Sequence, residues 1–146
     1  MKKNKNILFL LLFSLIPILT CACWPFKCQT NRYDSKGFRQ GKWIVWWDEA
    51  SKSPLSITHF KYDHERGKSR YFYMDGTRRM KFYTRKDGRV RVKYYTETGR
   101  LEKKGRALMI VTPEQVRYCW HGKWKFYENR KCVKVSVYNM GKQVAH

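Results

Sequence analysis

Arg89-Val90-Arg91-Val92-Lys93-Tyr94-Tyr95 decides the fold. Val90, Val92 and Tyr94 alternate with Arg89, Arg91 and Lys93, and an extended chain sends such alternating residues to opposite sides. This predicts a half-buried β-strand with an apolar side toward a core and a cationic side toward solvent. The alternation recurs in Met80 and Phe82 against Lys81 and Tyr83, and in Trp124 and Phe126 against Lys125 and Tyr127. It returns in Val133, Val135 and Val137 against Lys134 and Ser136. Between the runs lie Asp75-Gly76, Asp87-Gly88 and Thr98-Gly99. Such pairs are hairpin signals, because glycine takes the positive φ that a tight hairpin turn requires. Glu128-Asn129-Arg130-Lys131 fills an equivalent place without glycine, and Asn129 tolerates left-handed backbone there. The chain therefore reads as all-β, an antiparallel meander of hairpins. Two stretches interrupt it. Residues 49–58, around Ser53-Pro54, read as a loop insertion, and residues 107–114 read as a strand followed by a turn at Thr112-Pro113.

At 146 residues there is room for one domain. The chain holds 32 Lys and Arg against 11 Asp and Glu, a net charge of +21. Residues 1–22 contribute Lys2, Lys3 and Lys5 and no acid, so the remainder keeps +18. That field attracts anionic surfaces, polyanions or acidic proteins. Aromatic residues make up 16% of the chain, which argues for a folded domain with a basic exterior and against a disordered basic tail.

The N-terminus reads as an export signal. Lys2, Lys3 and Lys5 precede the apolar run from Ile7 to Leu19, thirteen residues that only Ser14 and Pro17 interrupt. A membrane-crossing helix needs about 20 residues, whereas a signal-peptide core is shorter. The run ends in Leu19-Thr20-Cys21-Ala22-Cys23, which resembles a bacterial lipobox, where small residues precede a cysteine that is lipidated after cleavage. Cys23, preceded by Ala22, fits better than Cys21 behind Thr20. The alternatives are an ordinary secretory leader cut after Ala22 and a retained helix. The organisation is then a lipoprotein signal peptide over 1–22, a lipidated cysteine and tether over 23–36, and a β-domain over 37–146. Trp24 at the second mature position, with no acidic run behind it, places the domain at the outer membrane facing the periplasm.

With Cys23 lipidated, Cys28, Cys119 and Cys132 remain, an odd number for an oxidising compartment. Cys119 shares a strand side with Arg117, and Cys132 with Lys134. Both project to the polar side of neighbouring strands and form the candidate disulfide. No CxxC pair or Cys/His cluster at zinc spacing occurs, so neither a metal site nor a cofactor is expected.

Gly41-Lys42-Trp43-Ile44-Val45-Trp46-Trp47 and Gly122-Lys123-Trp124-Lys125-Phe126-Tyr127 share one pattern. Gly67-Lys68-Ser69-Arg70-Tyr71-Phe72-Tyr73 is a weaker copy, and Tyr138-Asn139-Met140-Gly141-Lys142 supplies a closing element. Over residues 37–146 the chain resembles the variant MORN (membrane occupation and recognition nexus) repeat of bacterial proteins. Ser69 stands where that pattern has Trp, and Arg130 replaces a turn glycine. The resemblance implies a hairpin solenoid or rolled sheet acting as a scaffold for proteins or membranes, sometimes labelled antitoxin-like, with no catalytic residues.

The histidines are His59, His64, His121 and His146. Asp63-His64-Glu65 is the one local acid–base cluster, yet neighbours on a strand point to opposite faces. His121 reads as a turn residue. No phosphate loop, nucleophile elbow or paired-carboxylate pattern is present, so no enzyme activity is expected.

The candidate partner-binding face is the polar side of the strands. Its cations are Arg89, Arg91, Lys93, Lys125 and Lys134, and its rings are Trp46, Tyr83, Tyr95 and Tyr127, with Tyr138 also displayed. Interleaved cations and aromatics suit anionic glycans, phosphates or acidic protein surfaces. The expected function is a membrane-anchored binding or scaffold module of the envelope. An immunity-type protein and a direct binder of anionic lipid or glycan are the alternatives. Nucleic acid ranks below these, since an exported domain seldom meets it.

Overall fold

Four turns repeat one geometry and set the meander. In residues 34–38, 73–77, 85–89 and 96–100 the first residue's N–H donates to the carbonyl of the fifth. The N–H of the fourth, always glycine, donates to the carbonyl of the first. Gly37, Gly76, Gly88 and Gly99 hold φ between 73° and 86°, the left-handed step that closes a three-residue hairpin loop. The carboxylates of Asp75 and Asp87 accept from the N–H two residues on, at 2.8 and 3.1 Å, and stiffen the bend. Asn129 and Arg130, at φ 46° and 66°, make a two-residue turn in which Asn129 takes the left-handed geometry its side chain favours.

The structure, a computed structural model, describes residues 29–50 and 52–145. Residues 1–28, which hold the expected signal peptide, the expected lipid site at Cys23 and also Cys21 and Cys28, lie outside them. Eleven strands follow in order: β1 Arg32–Tyr33, β2 Arg39–Trp46, β3 Pro54–Lys61, β4 His64–Glu65, β5 Gly67–Phe72 and β6 Arg78–Thr84. Then come β7 Arg89–Tyr95, β8 Leu101–Val111, β9 Val116–Glu128, β10 Lys131–Asn139 and β11 Lys142–Ala145. They form one antiparallel sheet in chain order, with β4 set aside against β3 and with β1 and β11 at its open ends. No helix occurs among the described residues.

One side of the sheet is the core. Val90 and Trp124 are almost wholly buried, with Phe82, Val92 and Ala107 beside them. Large side chains find room because small ones flank them. Ser69 faces Phe82 across strands, Gly105 faces Val92, and Ser136 faces Trp124. The Trp124 ring lies on Gly105, where a Cβ would enter the ring's own space. Its Nε1–H donates to the Arg106 carbonyl at 2.8 Å, and its face stacks on Trp120 at 3.8 Å between centroids.

This face is concave. Phe82 on β6 and Tyr118 on β9 are three strands apart, roughly 14 Å on a flat sheet, yet their rings meet at 5.8 Å. Glu65 on β4 accepts from Ser69 Oγ at 3.2 Å and Tyr71 OH at 2.9 Å. Burial, and then the Glu65 charge, raise the Tyr71 and Tyr118 phenols above the ordinary tyrosine range. Glu65 thus sees tyrosines from both halves of the roll.

Six expectations are corrected. The insertion over 49–58 is a loop only to Ser53, because β3 begins at Pro54 and buries Ser56 and Thr58. These are small polar residues that hydropathy does not flag. On β10 the phase is reversed: Ser136 is buried while Val133 is 53% exposed. A register shift between Cys132 and Lys134 turns Lys134 toward Phe126 on the aromatic side. Tyr138 is likewise packed on Trp120, at 5.0 Å, and is not displayed. His121 lies within β9 opposite Arg106, since the positive φ of Gly122 makes a bulge there instead of a turn. Cys119 and Cys132 are free, facing Leu108 and Tyr127 respectively. Eight residues of β9 separate those positions, roughly 25 Å, far beyond disulfide reach. The sheet also takes in Arg32–Tyr33, upstream of residue 37.

Gly105→Ala is expected to lower the unfolding free energy by about 1–3 kcal/mol, because the added methyl displaces Trp124. Denaturant titration followed by tryptophan fluorescence checks this. An unchanged midpoint would show that the ring does not depend on the missing Cβ.

Candidate binding face

The convex side is built by register. Arg70 faces Lys81, Lys81 faces Lys93, Lys93 faces Lys104, and Lys104 faces Lys125. Five cations therefore stand side by side on β5 to β9. Ile57 borders the row at one end and Val135 at the other. Two residues along β5 to β8, and four along the bulged β9, runs a second row, in which Lys68 faces Tyr83, Tyr83 faces Arg91, Arg91 faces Arg106 and Arg106 faces His121.

All eleven acids lie elsewhere, in turns and loops or within a residue of strand ends. The ion pairs Arg39–Asp63, Arg89–Asp87 and Lys103–Glu102 take no member of the first row. Repulsion is consequently felt inside it. Desolvation, followed by the charges of Lys68, Lys93, Arg78 and Arg70, holds the Lys81 ammonium below the ordinary lysine range. The Arg70 Nε is buried without a hydrogen-bond partner among the described residues.

Of the nine residues expected on this face, Arg91, Lys93 and Lys125 fall in or beside the rows, and Tyr83 stands in the second row at 50% exposure. Tyr127 lies next to them, with Lys104 Nζ 5.0 Å from its ring. Arg89 shares the face, but its guanidinium is held by Asp87 at 2.6 Å. Tyr95 is half-buried at the end of β7, where its carbonyl accepts from Tyr73 OH at 3.0 Å. Trp46 is exposed opposite Pro54 at the end of β2, away from the rows. Lys134 belongs to the other side. The sequence pattern missed Arg70, Lys81, Lys104, Lys68 and Arg106. Each alternates with a core residue, but only strand pairing places them together.

The Asp63-His64-Glu65 cluster does not converge. Asp63 binds Arg39 at 2.7 Å while Glu65 binds Ser69 and Tyr71. Among the described residues no three of His, Cys, Asp and Glu group as a metal site. The arrangement instead offers an extended surface of fixed donors and flat rings, suited to holding anions along a line. Set against family models, curated proteins and solved structures, the chain finds no match in any of the three.

Proposed function

We propose that this chain is a non-enzymatic binding module of a bacterial cell envelope, held at a membrane by a lipid on Cys23, that docks an anionic partner on its convex face. The observation that carries the proposal is the five-cation row from Arg70 to Lys125, with no carboxylate set against it. Surface cations ordinarily occur among acids that balance them. Leaving five together lowers the stability of the folded chain, and a bound polyanion relieves this repulsion by neutralising the row while small counterions are released. The lipobox-like ending at Cys23 supports anchoring, and the recurring Gly-Lys-Trp pattern supports kinship with MORN-type scaffolds. Anchoring adds to the binding, since a module fixed to a surface meets partners on that surface at high effective concentration.

Two outcomes are expected. The variant Arg91→Glu/Lys93→Glu/Lys125→Glu, with its circular dichroism unchanged, loses at least about tenfold of the affinity for envelope polyanions that the parent chain shows, because like charges now face the ligand. Equal retention of both proteins on immobilised polyanions and on envelope extracts would contradict the docking role. Intact mass of the membrane-extracted protein is expected to give an acylated chain beginning at Cys23; a chain still carrying residues 1–22 would contradict the anchor.

A further inference from the structure

We infer that the anionic partner is a linear acidic polysaccharide lying across the strands, between the two rows of the convex face. This rests on the anion-docking role proposed above and adds the chemistry and direction of the ligand.

The spacing selects the polymer. Neighbouring strands lie about 4.8 Å apart, so the first row offers one cation per strand spacing over roughly 19 Å, perpendicular to the strands. An extended acidic peptide presents same-side charges every ~6.6 Å. An extended single nucleic acid strand, with a full sugar and its ester oxygens between phosphates, also spaces its charges wider than one strand spacing. Both fall out of step within a few positions. A hexuronate chain carries one carboxylate per ring, and a pyranose ring advances its chain by about one strand spacing. The second row lies roughly 6.6 Å away along the strands, two residues on. Carboxylates that alternate in direction along the sugar chain alternate between the rows from strand to strand, meeting Lys81 on β6, Arg91 on β7 and Lys104 on β8.

The shape and the rings agree. The roll that brings Phe82 to Tyr118 bends the outer face away from any plane, so a bilayer surface touches few strands at once while a flexible chain follows all five. Tyr83, half exposed between Lys68 and Arg91, supplies a flat ring for the C–H face of a sugar. Ile57 and Val135 close the row at its ends, which fixes a footprint of about five sugar residues.

The test titrates the full chain, in neutral detergent, with oligogalacturonates of two to eight residues. Hexaglutamate, hexathymidylate and micelles doped with phosphatidylglycerol serve as comparisons. Affinity is expected to climb with each residue to about five and then level off, with the hexamer at least about tenfold tighter than hexaglutamate. Tyr83→Ala is expected to weaken the hexagalacturonate by about three- to tenfold and to leave hexaglutamate unchanged. Equal or tighter binding of the peptide, the oligonucleotide or the doped micelles would overturn the polysaccharide while leaving anion docking intact. The same holds for an affinity that keeps rising in proportion to length from five residues to eight. Failure of every polyanion to bind would overturn both.

Discussion

The packing of Trp124 on Gly105 is the contact on which the rest of the molecule depends. An indole that reaches the backbone of the next strand needs a residue without a side chain beneath it, and β8 supplies one between Lys104 and Arg106. Trp124 then stacks on Trp120, which in turn meets Tyr94, Phe126 and Tyr138. A short cross-section under the widest side chain pulls β8 and β9 inward. The natural twist of the sheet and this local approach together let Tyr118 reach Phe82 and the surroundings of Glu65.

Rolling sorts the chemistry of the chain. Across β5 to β9 the concave side takes the buried core, together with Ser69 and Thr84, which give it room. The convex side of the same strands carries mostly cations, with Tyr83, Leu108 and Tyr127 among them and Ile57 and Val135 at the borders. Acids are confined to turns, loops and strand ends, and in the turns Asp34, Asp63, Asp75 and Asp87 accept hydrogen bonds that hold their carboxyls below the ordinary range. They serve backbone geometry there and leave the middle of the face uncompensated. One sequence pattern, apolar-cation alternation, thus yields both a core and a binding surface.

Much of this was legible before any coordinates. Strands β6, β7 and β9 announce themselves through aromatic or aliphatic residues alternating with cations, and Asp87-Gly88 marks its turn. Where the buried residue is Ser56, Thr58 or Ser136, size beside a large neighbour decides burial and hydropathy gives the wrong sign. Val133, Val135 and Val137 show that a period of two reveals a strand without revealing which side faces in. Assembly of the cation row was hidden for a different reason. A three-residue loop at 86–88 alone would place Lys81 opposite Lys93. The neighbouring hairpins, however, slip by one residue between Tyr71 and Phe72 and between Tyr94 and Tyr95. Those bulges carry Arg70 and Lys104 into line, and nothing in the local sequence marks them.

The convex face is an uncompensated array whose charges act on one another through the fold. The most direct test is the thermal midpoint of the parent chain and of Lys81→Gln across sodium chloride from low to physiological ionic strength, over which the screening length falls from about 30 Å at 0.01 M to about 8 Å at 0.15 M. Lys81→Gln is expected to be the more stable at low salt, with an advantage that shrinks as salt raises the midpoint of the parent. A variant that is less stable at every salt concentration, or a parent whose midpoint ignores salt, would contradict it.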